Sequence, residues 1–216
     1  GDSGRRFRTL RAHKNRFGSV GELGVFAMTE TGLREVKNPS AIFLSRPENV
    51  APGSLVICTW EGTRPLLVEV QALVDSSLGG SPKRVAVGLD GQRLAMLLAI
   101  LHRHGHVQLG DQDVFVNAVG GVKVTETGAD LGLLLACVSS FRGKTIPKDW
   151  VIFGEVGLSG EVRPVASGQE RIREAAKHGF KKAIVPSANA PKQLVSGIEV
   201  CRVERISQVL ELFDES

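Results

Sequence analysis

The fold of this chain is decided by one continuous stretch, which reads DVFVNAV (113–119), GGVKVTETGAD (120–130) and LGLLLACVSSF (131–141). Apolar and other side chains alternate along the first segment and β-branched residues dominate it, which predicts a sheet strand. The second segment is broken by glycines and predicts a turn. The third is apolar on almost every side, so it predicts a helix that is largely buried in the core. Thr127 or Asp130 is expected to cap this helix.

The alternation of strand and helix continues after this stretch. VIFGEV (151–156) and KKAIVP (181–186) predict two further strands, with a basic helix between them. In PSANAPKQLV, Pro191 suits the start of a helix, which is followed by the strand IEVCRV (198–203) and the short helix RISQVLELF (205–213).

Hairpins fill the first half of the chain. GVFAM and LREV flank a turn at residues 29–32, and strands at 55–60 and 66–74 flank a second turn. Residues 92–104 follow as a helix that Gly105 ends. Together these elements predict an α/β fold with a mixed sheet and N-terminal hairpins.

Composition places the chain among reduced, water-soluble domains. Its 216 residues are 42% hydrophobic, which is enough for one well-packed core. Cys58, Cys137 and Cys201 lie far apart in apolar runs, which suits core residues of a cytoplasmic protein and indicates no zinc or other metal site. No signal peptide and no apolar run of about 18 residues is visible, so no contact with a membrane is expected.

Positive charge is concentrated at the amino end. The net charge is +4, and residues 1–20 hold a single carboxylate, Asp2. The same segment carries the basic residues Arg5, Arg6, Arg8, Arg11, Lys14 and Arg16. Such an arm is either a solvated linker or a segment that contacts phosphates or an acidic neighbouring subunit.

Two tempting motifs have simpler interpretations. Gly143, Lys144 and Thr145 spell the end of a phosphate-binding loop, but the required earlier glycine is Val138 and the segment follows a helix. The histidines at 102, 104 and 106 point apart and have no acidic partner at ligand spacing, so we expect surface histidines.

Three segments resemble the proteolytic domain of Lon, namely TETGADLG (125–132), FGEVGLSGEVRPV (153–165) and GQERIREAAKHGFKKAIVP (168–186). The resemblance implies a Lon proteolytic-domain-like fold, of the ribosomal protein S5 domain 2-like kind. It also implies a serine–lysine dyad, but at those two positions this chain has Asp130 and Gln169. An aspartate facing a neutral amide supplies neither the hydroxyl nucleophile nor the amine base, so the resemblance argues against peptidase activity.

The carboxylate at the nucleophile position has two interpretations. Asp130 is either a catalytic acid with Glu155 and Glu161 as partners, or the cap of the core helix, which is what an aspartate there normally is. Arg163 likewise either binds phosphate or pairs with Glu161 or Glu155 at an interface between subunits. In the helix from Gly168, basic and acidic side chains mix, which is typical of a solvated face.

A second resemblance covers the chain from Phe7 onward. HKNRFG (13–18), ELGVFAMTETGLREVKNPSAIFLS (22–45) and CTWEGTRPLLVEVQALV (58–74) resemble the RadA (Sms) family of bacterial DNA-repair proteins. In that family a zinc finger and a RecA-like ATPase core precede the motif K-N-R-F-G. The resemblance implies a C-terminal fragment with a basic arm at 1–20 and a Lon protease-like domain at 21–216. ATP, Mg and Zn would bind in the preceding domains, and no cofactor is expected in this fragment.

The motif Lys14, Asn15, Arg16, Phe17 and Gly18 is the most informative of the arm. Its lysine and arginine project to one side of an extended segment, where they suit a phosphate or a neighbour's nucleotide. The alternative is a linker that docks on the domain. The resemblance favours the functional interpretation.

Two functional hypotheses follow from these residues. The first is a non-proteolytic domain of an ATP-dependent helicase or translocase that migrates branched DNA. In it, the fragment itself is no enzyme but a scaffold of a homo-oligomeric, hexameric ring and a surface for single-stranded and branched DNA, with recombinase RecA as a partner of the full-length protein. The expected DNA contacts are Arg8, Arg11, Lys14, Arg16, Lys83, Arg84, Arg93, Arg171, Lys181 and Lys182. The alternative is a Lon-type peptidase with a substituted dyad.

Overall fold

The computed structural model describes residues 7–11, 23–29, 32–35, 44 and 48–216. Its strands are β1 (Phe7–Arg11), β2 (Leu23–Thr29), β3 (Gly32–Glu35), β4 (Ser54–Glu61), β5 (Arg64–Ser76), β6 (Arg84–Val87), β7 (Gln112–Ala118), β8 (Trp150–Ile152), β9 (Glu155–Val156), β10 (Val162–Arg163), β11 (Lys182–Pro186) and β12 (Glu199–Val203). Its helices are α1 (Gly91–His104), α2 (Asp130–Arg142), α3 (Gly168–Lys177) and α4 (Ile206–Asp214). The predicted mixed α/β fold is confirmed.

One seven-stranded sheet dominates the architecture, in the order β12-β11-β8-β4-β5-β7-β6. β12, β11, β8 and β4 are parallel neighbours, and β6 and β7 form another parallel pair. β5 pairs antiparallel with β4 on one side and with β7 on the other. Six strands of this sheet therefore point the same way, and β5 alone runs against them.

The sheet has a hydrophobic core on each face. On the inner face, the larger core includes buried residues of α1, α2 and α4, and α2 lies directly over β4 and β5. On the outer face, a smaller core packs α3 residues such as Ile172 and Ala175 against Val56, Phe153 and Val185. Each strand contributes side chains to both cores, because successive residues of a strand point to opposite faces of the sheet.

The buried helix predicted at 131–141 is α2, in which residues 130–139 are all buried. It ends at Gly143, whose φ of 65° lies in the left-handed region that favours glycine. The helix predicted at 92–104 is α1, and Asp90 caps it by accepting from the backbone N–H groups of Gln92 and Arg93.

The two predicted hairpins are also present. β2 pairs antiparallel with β3 and β4 with β5.

Three local predictions are corrected by the structure. No helix begins at Pro191, since residues 190–198 form turns and irregular structure between β11 and β12. The segment VIFGEV does not form one strand, because the chain turns at Gly154, with φ of 151°, between β8 and β9. Residues Phe7–Arg11 of the basic arm pair with β2 as a strand, so this part of the arm is not a free linker.

Candidate functional site

The position where the resemblance expects a nucleophile lies at the amino end of α2. A short 3₁₀ turn, Thr127–Ala129, leads into Asp130, the first residue of the helix. The turn is tied to the break between β8 and β9, since Gly154 N–H donates to Gly128 O at 2.8 Å and Leu131 N–H donates to Gly154 O at 3.0 Å. These bonds hold Asp130 at the carboxyl ends of the parallel strands, where α/β sheets commonly place their sites.

The Asp130 carboxylate pairs with the guanidinium of Arg93 from α1. Arg93 Nε donates to Oδ1 at 3.3 Å, and Arg93 Nη2 donates to Oδ2. The backbone N–H of Val156 donates to Oδ2 at 3.1 Å. The side chain of Asp130 is 4% exposed and that of Arg93 is 26% exposed.

Asp130 therefore does not cap α2, contrary to the sequence-based expectation. The capping position is occupied by Ala129, which forms no side-chain hydrogen bond there, and the Thr127 hydroxyl donates instead to Glu155 Oε2. The reason is electrostatic, because a buried carboxylate gains more from a charged, forked guanidinium than from a single neutral N–H. As the first residue of α2, Asp130 still lies at the positive end of the helix dipole.

The electrostatic environment of this pair has opposing components. Burial raises the pKa of the Asp130 carboxyl above its ordinary value, and the hydrogen bonds from Arg93 and from the Val156 N–H offset part of that effect. The hydrogen bond to Asp130 raises the pKa of Arg93, so its guanidinium stays charged. The site thus contains an engaged ion pair and no hydroxyl, thiol or amine nucleophile at position 130.

A second buried ion pair lies on the other side of the same turn. Arg171 of α3 donates through Nη2 to Glu126 Oε2 at 2.9 Å and through Nη1 to Glu126 Oε1. Its Nη1 also donates to Cys58 O at 2.9 Å and its Nε to Ala166 O at 3.0 Å. The guanidinium lies 5.6 Å from the centre of the Phe153 ring. Four of its five N–H groups thereby have acceptors inside the protein.

Glu126 extends this network to the end of β4. Its Oε1 accepts from the Trp60 backbone N–H at 2.9 Å and from the Thr59 hydroxyl at 3.1 Å. The turn before α2 is thus joined to β4 on one side and to α3 on the other. We define Glu126, Arg171 and Thr59 as the Glu126–Arg171 network.

Sequence reasoning missed this network. It assigned Arg171 to a solvated helix face and to DNA contact, but 1% of its side chain is exposed, so it reaches no phosphate. The sequence contained one indication that Arg171 is buried. Arg171 directly precedes Ile172, which is buried on the narrow apolar face of α3.

The other residue of the substituted dyad lies outside these contacts. Gln169 is exposed on the first turn of α3, and its Oε1 accepts from Arg173 Nη2 at 3.4 Å. The hydrogen bonds of Asp130 go to Arg93 and Val156, so the structure does not join positions 130 and 169 through a bond.

The structure shows which residues of the same chain lie next to Arg163 and Glu161, two residues for which the sequence left alternatives open. Arg163 Nε lies 4.0 Å from Glu155 Oε1, across the short β9–β10 hairpin. This pair is largely exposed, so it contributes at most about 1 kcal/mol. The backbone of Glu161 forms an isolated antiparallel β-bridge with Arg205, and the hydrogen bonds of Asp130 go to Arg93 and Val156 instead of Glu161.

Little space adjoins the carboxylate. A cavity of about 90 Å³ is bordered by Arg93, Glu126 and Asp130. A wider, mainly apolar groove of about 480 Å³ lies beside it and shares Leu89 and Val124 with it.

The remaining predicted DNA contacts are divided between two regions. Lys83, Arg84, Lys181 and Lys182 lie at the amino ends of β6 and β11, which form the opposite edge of the sheet from Asp130. Lys83 and Lys181 are exposed. Arg84 instead donates to the carbonyl oxygens of Gln112 and Leu109. Lys182 lies 5.3 Å from the centre of the Trp150 ring and 3.8 Å from Glu199.

This amino edge is electrically mixed. The carboxylates Asp75, Asp111, Asp113, Asp149 and Glu199 lie at the same strand ends as its basic residues. In the arm, Arg8 and Arg11 are in β1, and only their backbone is described. The motif Lys14, Asn15, Arg16, Phe17 and Gly18 lies outside the described residues.

Lys144 has a structural role. Its Nζ donates to Phe213 O at 2.5 Å and to Asp214 O at 3.1 Å, which fastens the end of α2 to the end of α4. This agrees with the prediction from the sequence that Lys144 does not belong to a phosphate-binding loop.

Within the described residues, no group of three or more histidine, cysteine or acidic side chains is arranged to hold a metal ion. Among the helices of the described ranges, none has the length and apolar character needed to cross a membrane.

Comparison with known proteins agrees with the second resemblance. The chain is 67% identical over 215 residues to DNA repair protein RadA of Escherichia coli (strain K12), covering 100% of this chain and 47% of that protein. It is 48% identical over 206 residues to DNA repair protein RadA of Aquifex aeolicus, covering 95% of this chain and 46% of that protein. It is 44% identical over 209 residues to DNA repair protein RadA of Bacillus subtilis (strain 168), covering 94% of this chain and 45% of that protein.

The chain thus spans about half the length of the curated relatives it matches. The predicted resemblance to RadA proteins is confirmed by these identities.

A family model adds a relationship that the sequence analysis did not anticipate. The model described as subunit ChlI of Mg-chelatase matches residues 72–189, a range that includes β7, α2, the Asp130 site and α3. This range is more than half of the 216 residues. The chain, which is homologous along its length to DNA repair proteins named RadA, therefore belongs to the family of subunit ChlI of Mg-chelatase.

Proposed function

We propose that this chain is a non-proteolytic, Lon-like domain of a DNA repair protein. In this proposal it serves as the scaffold of a ring and as a DNA-binding surface for an ATP-driven motor that extends and migrates branched recombination intermediates. The proposal is supported by 67% identity to a protein named DNA repair protein RadA.

The proposal that the domain is non-proteolytic rests on the ion pair at Asp130. A peptidase dyad needs a nucleophile that can lose a proton and a neighbouring base that can accept it. The carboxylate at position 130 is instead held by Arg93 and by the Val156 N–H. Gln169 is exposed and bonded to Arg173. Neither residue is arranged for acyl transfer.

The DNA-binding part of the proposal is narrower than the sequence suggested. Arg171 is buried and Arg93 is engaged by Asp130, so both are withdrawn as phosphate contacts. Arg8, Arg11, Lys14 and Arg16 remain as the proposed main contacts. Lys83 and Lys181 are proposed as secondary contacts because both side chains are exposed.

The activities of a longer protein are part of the same proposal. ATP and Mg would be bound by an ATPase domain and Zn by a zinc finger, both outside the residues of this chain. A ring of six, recombinase RecA as a partner and a cytoplasmic location are likewise proposed. They are supported by the resemblance of the motif at 14–18 to the RadA family.

The peptidase alternative is tested with an unfolded protein as the substrate. We expect no hydrolysis of reduced casein by the purified chain over many hours, because position 130 has no nucleophile. The control is the Asp130→Ala variant prepared in the same way, which reveals a contaminating protease. Hydrolysis by the wild type that is lost in Asp130→Ala would establish the alternative and overturn the non-proteolytic assignment.

DNA binding is tested with two unrelated single strands over a salt series. If about four to six phosphates are neutralised per subunit, log K falls against log salt with a slope of roughly −3 to −4. Because β1 pairs with β2, the arm is tested by Arg8→Gln and Arg11→Gln rather than by deletion. Each is expected to flatten the slope by about 0.7. Lys192→Ala, at an exposed lysine outside the proposed set, is the control and should leave the slope unchanged.

The same salt series also gives the results that would contradict the proposed DNA binding. A slope near zero, or strong preference for one of the two sequences, would exclude phosphate attraction as the basis of binding.

A further inference from the structure

Part of the outer face of the sheet is exposed to solvent. α3 covers this face over β4 and the beginning of β5, and its apolar side chains share a core with those of β8 and β11. Among the residues that the structure describes, the outward side chains of β5, β7 and β6 beyond Glu69 have no such cover and are at least partly exposed. Strand register arranges these outward side chains in three rows across the strands. We call this surface the β5–β7–β6 face. Its members are Gln71, Leu73, Asp75, Lys83, Val85, Val87, Asp113, Phe115 and Asn117.

The middle row of the face is apolar. Leu73 lies opposite Phe115, and Phe115 lies opposite Val85. Leu73 is 59% exposed and Val85 is 42% exposed, and Val87 in the next row is 58% exposed. A shallow groove of about 370 Å³ runs over these residues, between them and the turn at residues 51–54. A contiguous apolar surface of this kind is typical of an interaction site.

The two outer rows are complementary to each other. On one side of the apolar row, Asp75 lies opposite Asp113. On the other side, Gln71 lies opposite Asn117. Each outer row is two residues from the apolar row, so both are about 7 Å away from it. Asp75 and Asp113 therefore present carboxylate acceptors in one outer row, which also contains Lys83. Gln71 and Asn117 present amide donors in the other outer row, which also contains Val87, at the same distance from the apolar centre.

The acidic row has unused hydrogen-bonding capacity. Two carboxylates on directly opposed residues repel each other within one chain. The Lys83 backbone N–H donates to Asp113 Oδ1 at 2.7 Å and the Ser76 N–H donates to Asp75 Oδ1 at 2.8 Å. Each carboxylate accepts about four hydrogen bonds when fully satisfied, so each has room for an amide donor.

We infer that the β5–β7–β6 face binds the same face of a second copy of this chain around a two-fold axis. The axis runs along the apolar row, perpendicular to the strands. Rotation about it places Leu73 and Phe115 against their own copies. It also turns the strands antiparallel across the interface, so that Asp113 meets Asn117 of the second copy and Asp75 meets its Gln71. Such an isologous contact is closed, because the same patch serves on both subunits.

The pairing suits the general geometry of packed sheets. Two sheets pack face to face about 10 Å apart with their strands within about 30° of each other. The face is only three strands wide, which corresponds to about 10 Å between its outer strands. An interface of this width is at the small end for proteins, so the association is expected to be weak and to depend on concentration.

The inference does not rest on the proposed function, since it requires neither DNA nor a ring, although Lys83 is both a member of this face and a proposed DNA contact. If the chain forms a ring through other surfaces, the two-fold contact joins two rings, and its loss halves the mass. If it forms no ring, the contact joins two monomers. In both cases the mass of a variant without the contact is half that of the wild type.

The first experiment measures molar mass by light scattering over a concentration series. We expect the wild type to approach twice the mass of Leu73→Glu at the highest concentration, because a carboxylate at the apolar centre opposes its own copy. Val85→Glu, in the same row, should have the same effect. Leu194→Glu is the matched control, since Leu194 is fully exposed and lies outside the sheet. Far-ultraviolet circular dichroism verifies that the variants are folded.

The second experiment tests the register by exchanging donor and acceptor. Asn117→Asp places a carboxylate against Asp113 of the second copy, and we expect the dissociation constant to rise about tenfold or more. Adding Asp113→Asn restores an amide opposite each carboxylate and keeps an oxygen for the Lys83 N–H. The double variant should return to within about threefold of the wild type, since the pairing is complementary again.

Two outcomes would overturn the inference. One is a wild-type mass equal to that of Leu73→Glu at every concentration. The other is an association that Leu73→Glu abolishes but that the Asp113–Asn117 exchange fails to restore, because the two-fold register requires that rescue.

Discussion

Arg171 is a buried cation whose loss affects four hydrogen bonds at once. Its partners are Glu126, Cys58 O and Ala166 O, and 1% of its side chain is exposed. A buried ion pair is not in itself a strong source of stability, since both charges must be taken out of water. Removing one partner is nevertheless costly, because the other charge is left without compensation.

We expect Arg171→Ala to lower the free energy of unfolding by about 3 kcal/mol, as for other broken buried pairs. Arg171→Lys should recover less than half of that loss, because an ammonium cannot replace a planar fork. Urea unfolding followed by circular dichroism measures both changes. Arg173→Ala, at an exposed position two residues further along α3, should change stability by no more than about 0.5 kcal/mol. A loss in Arg171→Ala no larger than in this control would contradict the buried network.

Asp130 provides a prediction about pH, because burial raises the pKa of its carboxyl in the folded protein. The unfolded chain then ionises first as the pH rises, so ionisation of Asp130 disfavours the folded state. The stabilising contribution of the protonated carboxyl is complete below the ordinary range near pH 4 and is lost as the pH rises through the raised folded value.

The stability of the wild type relative to Asp130→Asn should therefore fall as the pH rises above about 4, since the asparagine does not titrate. Urea unfolding at intervals of half a pH unit measures this difference. Asp149→Asn, at an exposed position, corrects for the general removal of a negative charge. A difference that rises with pH would mean that the hydrogen bonds from Arg93 outweigh burial.

At the scale of elements, the close approach of α2 to the sheet depends on one glycine. A Cβ atom at Gly132 would lie 2.3 Å from Ile57 Cγ2 and 3.2 Å from Leu55 Cδ1. Both side chains belong to β4 and are fully buried, so they have no free space to move into.

Gly132→Ala should consequently destabilise the protein by about 2 kcal/mol through overpacking, despite the better helix propensity of alanine. Gly91→Ala is the matched control, because a Cβ atom at this first residue of α1 meets nothing within 4 Å. The control should be neutral or stabilising by about 0.5 kcal/mol. Equal stabilities of the two variants would show that β4 yields more easily than its burial implies.

Sequence patterns identified most elements because periodicity reports which side of a segment is buried. They predicted β7, α2 and the β4–β5 hairpin correctly, since strong apolar patterns and turn residues agree there. They failed at Pro191, where a suitable helix start is followed by too few apolar residues to form a buried face. They also failed at Gly154, where one apolar run serves two strands separated by a turn.

The candidate site was predicted in position but not in chemistry. The resemblance located Asp130 and Gln169, yet the roles of Arg93 and Arg171 depend on partners 37 and 45 residues away in sequence. A pattern read within one helix cannot distinguish a solvated arginine from one that meets a distant carboxylate, because both lie among polar neighbours.

At the scale of the whole molecule, the two hydrophobic cores share a single sheet. β4 supplies Ile57 to the inner core and Val56 to the outer core. Neither core can be lost without exposing the other face of the same strands, so we expect one cooperative transition.

Two tryptophans allow this cooperativity to be measured, since Trp60 lies in β4 and Trp150 in β8. In Trp60→Phe and in Trp150→Phe, the fluorescence of the remaining tryptophan should change at the same urea concentration as the circular dichroism of that variant. Comparison within each variant removes the effect of the substitution on stability. Separate midpoints for fluorescence and circular dichroism would indicate that the two cores unfold independently.

The position of β8 in the sheet also matters while the protein is being made. β4 pairs with β5, which follows it directly, but its other neighbour is β8, and Val56 pairs with Val151. At about 5–20 residues per second of synthesis, the edge of β4 that will pair with β8 stays unpaired for on the order of 5–20 s. A nascent chain halted before Val151 presents that apolar edge to solvent. Ribosome-bound chains ending before and after β8 should therefore differ sharply in protease sensitivity at β4 and in their recruitment of chaperones.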